Sequence, residues 1–181
     1  MPTREICVDG TYFTFPDGWQ VDMFDEWPQF RKAAGALSLK GCDVIALNSD
    51  ELWIIEVKDY TYANAEQPPD LARTVALKAA GTMALLYSLA RTNADSRAKE
   101  FAIRCASSTR IHLALHIDVK DGGRRQRQIK PVLPPILTKL RHYQKALGLH
   151  KAHVTSTLAP SASTPWTARR DPATRAVHAD R

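Results

Sequence analysis

Residues 41–60, GCDVIALNSDELWIIEVKDY, constrain the fold more than any other part of this 181-residue chain. Residues 42–47 form an apolar run carrying one acid, Asn48-Ser49-Asp50 is turn chemistry, and residues 52–58 are rich in β-branched and aromatic side chains. The pattern predicts two strands joined by a tight turn. Successive strand side chains point to opposite faces. Trp53, Ile55 and Val57 therefore share one face, and Ile54, Glu56 and Lys58 share the other. On the first strand Asp43 lies on the face of Ile45 and Leu47. Pairing Leu47 with Leu52 sets Ala46 opposite Trp53, Ile45 opposite Ile54, Val44 opposite Ile55, and Asp43 opposite Glu56. The unbroken apolar run 52–55 reads as a strand buried on both faces, which weighs against a solvated surface hairpin.

Two carboxylates facing each other on a half-buried sheet repel. A cation between them removes the conflict. Hard oxygen ligands beside a phosphate substrate suit Mg²⁺, usually held by one or two carboxylates plus waters. Lys58 reaches the same spot from the same face. The spacing of Asp43 and then Glu56-Val57-Lys58 resembles the PD-(D/E)XK nuclease superfamily, the restriction-endonuclease-like proteins. Cys42 stands where the family's name has proline, a variable position in that superfamily. As an element order the resemblance covers about the first two-thirds of the chain; as a motif it covers only these residues.

The resemblance implies an α/β fold, a restriction-endonuclease-like mixed central sheet flanked by helices. It also implies metal-dependent hydrolysis of phosphodiester bonds, with DNA the leading substrate. On that reading Asp43, Glu56 and Lys58 are catalytic. Asp43, Glu56 and the Val57 carbonyl hold Mg²⁺ or Mn²⁺, and Lys58 orients water or steadies transition-state charge. The alternative is a nuclease-fold module that holds nucleic acid or a protein partner without cutting. The protein is expected to act as a homodimer or as a subunit of a larger complex.

Around this centre, residues 4–15 read as a hairpin turning at Asp9-Gly10. A helix follows, capped by Asp25, with Pro28 in its first turn and Gly35 as its stop. Asp25 and Glu26 either present an acid to the site, as helices here often do in the superfamily, or only cap the helix. Residues 70–91 form the longest expected helix, with Leu71, Val75, Ala79, Met83, Leu86 and Leu89 on one face. Its alanines and Gly81 allow close approach to the sheet. Lys78 stands at the border of that face, placed either to contact a phosphate or simply to lift its charge into solvent. Residues 95–106 are another amphipathic helix, and residues 111–117 a strand whose His112 and His116 are ordinary sheet histidines. Residues 120–130 combine a glycine hinge with a basic run. Arg124, Arg125 and Arg127 are the candidate nucleic-acid contacts, in a loop that either clamps a phosphate backbone or is merely solvated. A last helix opens at Pro134-Pro135, and residues 152–158 are a last strand.

Composition bounds the rest. Net charge is +6 and the isoelectric point about 9.4, which permits nucleic-acid binding without demanding it. Cys7, Cys42 and Cys105 are odd in number and widely spaced, so neither a disulfide framework nor a zinc site is expected. The absence of a long apolar run or signal-like segment predicts a cytoplasmic protein with no membrane partner. One domain over residues 1–158 is expected, with a basic tail over 159–181, rich in Ala, Ser, Thr, Pro and Arg, that lacks periodicity and is expected to be unstructured. Trp166 is the one tail residue that points to docking.

Overall fold

The computed structural model describes residues 3–62, 65–93, 96–119 and 125–171, the side chains of 125–130 excepted. β1 (Arg4–Val8) and β2 (Thr11–Phe15) form the expected hairpin. Asp9 and Gly10 have φ of 48° and 71°, the left-handed pair that a two-residue turn between twisted strands requires. β3 (Gln20–Met23) leads through a 3-10 turn (Phe24–Glu26) into α1 (Pro28–Leu37). β4 (Val44–Asn48) and β5 (Glu51–Tyr60) are the two central strands. α2 (Leu71–Ala90), α3 (Arg97–Ala106), β6 (Arg110–Val119), α4 (Arg125–Ala146), β7 (Lys151–Thr155) and β8 (Thr167–Arg170) complete the chain.

Five strands form a mixed sheet in the order β3-β4-β5-β6-β7. Its first two pairings are antiparallel and its last two parallel. The parallel pairs are joined by helical crossovers, α2 and α3 before β6 and α4 before β7, as parallel neighbours require. Each face of the sheet has its own apolar core. On one face Ile45, Leu47, Leu52, Ile54, Leu113 and Leu115 pack with Phe30 of α1, Val75 and Leu86 of α2, Phe101 of α3 and Leu140 of α4. On the other, Val44, Ala46, Trp53, Ile55 and Val57 pack with Phe13 and Phe15 of β2 and with Trp166. The second face is covered by a small antiparallel sheet, β1-β2-β8. The molecule is thus three layers, with the four described helices on one side only.

The expected β4–β5 register holds in four of its pairs: Leu47 with Leu52, Ala46 with Trp53, Ile45 with Ile54, and Val44 with Ile55. The ladder stops there, so Asp43 is not a ladder partner of Glu56. His112 and His116 are buried sheet residues, as expected. Their rings face the small sheet, His112 stacked on Trp53 with centroids 4.3 Å apart and His116 edge-on to Phe13 at 4.9 Å.

Several sequence expectations are corrected. α1 runs through Gly35 to Leu37 and ends where Ser38 takes φ 53°. Its N-cap is Trp27, not Asp25. α4 does not open at Pro134; it starts at Arg125 and contains Pro131, Pro134 and Pro135, which makes it the longest helix at 22 residues against 20 for α2. The prolines are exposed. Leu133, Ile136 and Leu137 pack onto the core beside buried Leu140, and this tertiary packing outweighs the local cost of lost backbone donors. The expectation of an unstructured segment from residue 159 fails for residues 159–171. They place Trp166, only 6% exposed, against Trp53, Phe13 and Phe15, and they add β8 to β2. Residues 172–181 lie outside the described residues. So does Arg124, and the side chains of Arg125 and Arg127 are likewise outside them, although their backbone belongs to α4 rather than to a hairpin loop.

Candidate active site

The site lies where β4 begins and β5 approaches its end, beneath α2. Close approach of backbone to backbone builds it. A Cβ on Gly81 would stand 2.0 Å from the Lys40 carbonyl oxygen, and one on Gly41 would stand 2.6 Å from the Phe30 ring. Only glycine lets these segments meet so closely. One residue on, the Thr82 hydroxyl accepts the Cys42 backbone N–H at 2.9 Å and donates to the Lys78 carbonyl at 3.0 Å. The start of β4 is thereby tied to the turn of α2 that carries Lys78. The sequence indicated the close approach of Gly81; it carried no sign of Thr82, whose role depends on which residue lies across from it.

Asp43, Glu56, Lys58 and Lys78 converge here. The Asp43 backbone carbonyl accepts the Phe24 N–H at 2.8 Å, and its carboxylate Oδ2 accepts the Val57 N–H at 2.7 Å. Glu56 is fully buried. Its Oε1 carries both ammonium groups, Lys58 Nζ and Lys78 Nζ each at 2.6 Å. Lys78 Nζ is also 3.7 Å from Asp43 Oδ1. Glu56 Oε2 is buried without a hydrogen-bond partner.

Burial pushes the Glu56 carboxyl above its usual range, and the charge of Asp43 pushes it further; the two lysines pull the other way without prevailing. Burial works against the Lys58 ammonium, but Glu56 and then Asp43 and Asp9 outweigh it, so its pKa is raised. Lys58 is therefore a cation at neutral pH and not a proton acceptor. Burial also holds the Cys42 thiol well above its ordinary value, helped by the negative charge of Glu56 and Asp43.

Of the two accessory acids, Asp25 belongs to this field. Its carboxyl is raised by burial and then by Asp43, and its Oδ1 is buried without a hydrogen-bond partner. Glu26 is exposed and instead lines a shallow groove of about 390 Å³ with Arg4, Ile6, Asp22, Met23, Trp27 and Pro28. Asp9, read from the sequence only as a turn residue, also feels the site: burial and then Asp43 raise its carboxyl although the residue is largely exposed. Its approach comes from the folding of one sheet over another, which no local pattern announces. Asp59, beside Lys58 in sequence, lies on the other side of β5 and pairs with Arg170 of β8 at 2.6 Å and 2.8 Å.

Among the described residues no group of three or more His, Cys, Asp or Glu side chains gathers to hold a metal. The donors on hand are two carboxylates, with Asp25 within their field. A buried carboxylate oxygen without a donor is an acceptor suited to a cation, and two carboxylates plus waters is the kind of set Mg²⁺ accepts. The residues present fit a hard divalent ion of this kind.

No known family's sequence profile matches the chain, and no solved structure matches it. The chain is 26% identical over 139 residues to a cysteine–tRNA ligase of Neisseria meningitidis, a match covering 59% of this chain and 20% of that protein. The chain thus spans about a fifth of that relative's length. Among the described residues, no helix is long and apolar enough to cross a membrane.

Proposed function

We propose that this protein is a metal-dependent nuclease of the PD-(D/E)XK type, with a restriction-endonuclease-like fold, hydrolysing phosphodiester bonds in DNA in the cytoplasm. The observation that carries the reading is the convergence of Asp43, just before β4, with Glu56 and Lys58 of the adjacent β5, and the bond from Asp43 to the backbone between the other two. Asp43 and Glu56, with the Val57 carbonyl, would hold Mg²⁺ or Mn²⁺. The ion when bound would supply Lewis-acid polarisation of the scissile phosphate and lower the pKa of a water. The chain's own groups do the rest. Lys58, held cationic by Glu56 and Asp43, places an ammonium where charge grows on the phosphate oxygens. The burial of Glu56 fixes its carboxylate before substrate arrives, so little reorganisation is needed at the moment of reaction. The +6 net charge favours approach of a polyanion, and Arg124, Arg125 and Arg127 are the proposed backbone contacts.

A second reading is kept because of one finding. The likeness to a fifth of a larger cysteine–tRNA ligase suits a module that holds nucleic acid or a protein partner inside a larger assembly without cutting. One experiment separates the two. Purified protein is incubated with plasmid DNA, single-stranded DNA and a structured RNA, in Mg²⁺, Mn²⁺ or chelator. Metal-dependent cleavage of DNA that is lost in Asp43→Ala, Glu56→Ala and Lys58→Ala supports the nuclease. Tight binding with no cleavage of any substrate supports the module.

A further inference from the structure

We infer that Lys78 is the internal counter-ion of this site, holding the position between Asp43 and Glu56 that a divalent cation must take, so that its charge sets how tightly the site binds metal. The inference rests on the metal-dependent reading above and deepens it. Lys58 and Lys78 both reach Glu56 Oε1 at 2.6 Å, but they are not equivalent. Lys58 belongs to β5 itself, two residues beyond Glu56. Lys78 comes from α2, and of the two only its ammonium comes within ion-pair distance of Asp43, at 3.7 Å from Oδ1. Its ammonium therefore lies between the two carboxylates.

The fold delivers it there. The Gly81 contact with Lys40 and the Thr82 hydroxyl between Cys42 and Lys78 fix α2 against the start of β4. The Lys78 side chain is 18% exposed while that of Glu56 is wholly buried, so the lysine tip can leave toward solvent and the glutamate cannot. Two ammonium groups on one oxygen also repel each other, which weakens both contacts. The Lys58 side chain is the more exposed of the two at 26%, but an ion held by both carboxylates needs the position of Lys78 Nζ, so Lys78 is the group that must move off Glu56 when a divalent ion enters. The exchange swaps one cation for another and makes metal binding weaker than two bare carboxylates would allow. An incoming phosphate gives the released ammonium a new partner, so metal and nucleic acid should bind more tightly together than apart.

The test uses the full chain and Mn²⁺ as the probe, by titration calorimetry and by melting, with no cleavage assay required. Lys78→Gln keeps a hydrogen-bond donor for Glu56 but removes the charge. It should melt lower than wild type in chelator and bind Mn²⁺ more tightly, by roughly tenfold or more. Lys78→Arg, which keeps the charge, should retain the wild-type affinity, and Lys58→Gln should tighten binding less than Lys78→Gln. Equal Mn²⁺ affinity in wild type and Lys78→Gln, with binding still lost in Glu56→Gln, overturns the counter-ion role while leaving the metal site standing. So does a tightening in Lys78→Arg equal to that in Lys78→Gln. If no protein of the set binds Mn²⁺ in a manner sensitive to Glu56→Gln, the metal-dependent reading falls and this inference falls with it.

Discussion

Asp43 bonds the backbone of Val57: its carboxylate Oδ2 accepts that N–H at 2.7 Å, just past the last ladder pair, Val44 with Ile55. A side chain here takes over from the strand ladder. The same residue that would hold metal with one oxygen holds β5 in register with the other. Its two duties can be pulled apart by substitution.

Asp43→Ala should abolish cleavage and also destabilise the fold, because it leaves a buried N–H without an acceptor, at a cost of about 1–3 kcal/mol. Asp43→Asn retains an oxygen for the Val57 N–H and should recover most of that stability while remaining inactive. Denaturant melts beside a plasmid-cleavage assay separate the effects. Equal losses of stability in the two variants would mean that the bond to Val57 contributes nothing measurable.

Glu56 offers a test in the opposite direction. Its folded pKa is raised by burial and by Asp43. A carboxyl raised in this way adds stability that is complete below its ordinary value of 4.5 and is lost as pH rises through the folded value. Glu56→Gln removes that loss. In chelator at neutral pH it should melt above wild type, by an amount on the order of 1 kcal/mol, and the gap should close in acid. Added Mg²⁺ should stabilise wild type and barely move the variant. A lower melting point for Glu56→Gln in chelator would show that the two lysine contacts outweigh the desolvation of the carboxylate.

What could be read in advance follows from how local each feature is. The β4–β5 register was legible because one two-residue turn and one period-2 pattern determine it. The convergence of Asp43, Glu56 and Lys58 followed from that register, although the ladder itself stops one pair short. The position of Lys78 on α2 was legible from helix phase, but not which carboxylate it would touch. β3 was not seen: Gln20-Val21-Asp22-Met23 alternates polar and apolar, but four residues are too short a run to stand out beside the helix that follows, and the strand is held by pairing with β4. α4 was cut short because prolines ordinarily end helices, and here long-range packing of Leu133, Ile136, Leu137 and Leu140 prevails. The small sheet's third strand was invisible, since TARR carries no strand signal until β2 is beside it.

A histidine pair at the other end of the sheet predicts acid sensitivity. His153 Nε2 and His112 Nδ1 lie 3.1 Å apart and share a hydrogen bond that requires at least one neutral ring. Burial, and then the charge of His112, holds the His153 pKa down to about 4 from an ordinary 6.5. The unfolded chain takes up its proton first, so stability from this group is intact above 6.5 and drains away as pH falls toward 4. Melting temperature followed from pH 7 to pH 4 should fall more steeply in wild type than in His153→Asn. Parallel curves for the two proteins would show that His153 does not titrate in that window.

The last prediction concerns residues 159–171. Trp166 lies against Trp53, Phe13 and Phe15 with ring centroids 5.2, 6.4 and 5.7 Å away, and fills the core between the two sheets. Four residues on, Arg170 bridges to Asp59 at 2.6 Å and to Asp118 at 3.7 Å. Asp118 resists burial's tendency to neutralise it because the His116 ring 3.7 Å away and hydrogen bonds from Ser156 and Thr157 hold its carboxyl well below the usual range. Removing Arg170 takes a cation from two acids that are nearly buried. Trp166→Ala should cost about 3–5 kcal/mol, and truncation after Leu158 should cost at least as much, where composition alone would predict no change. Because Asp59 adjoins Lys58, loosening its clamp to Arg170 should also blunt cleavage in Arg170→Met, with less effect on metal affinity than any change at Glu56. Urea midpoints and cleavage rates for the three variants decide the matter. A truncated protein that melts with wild type would detach Trp166 and β8 from the fold altogether.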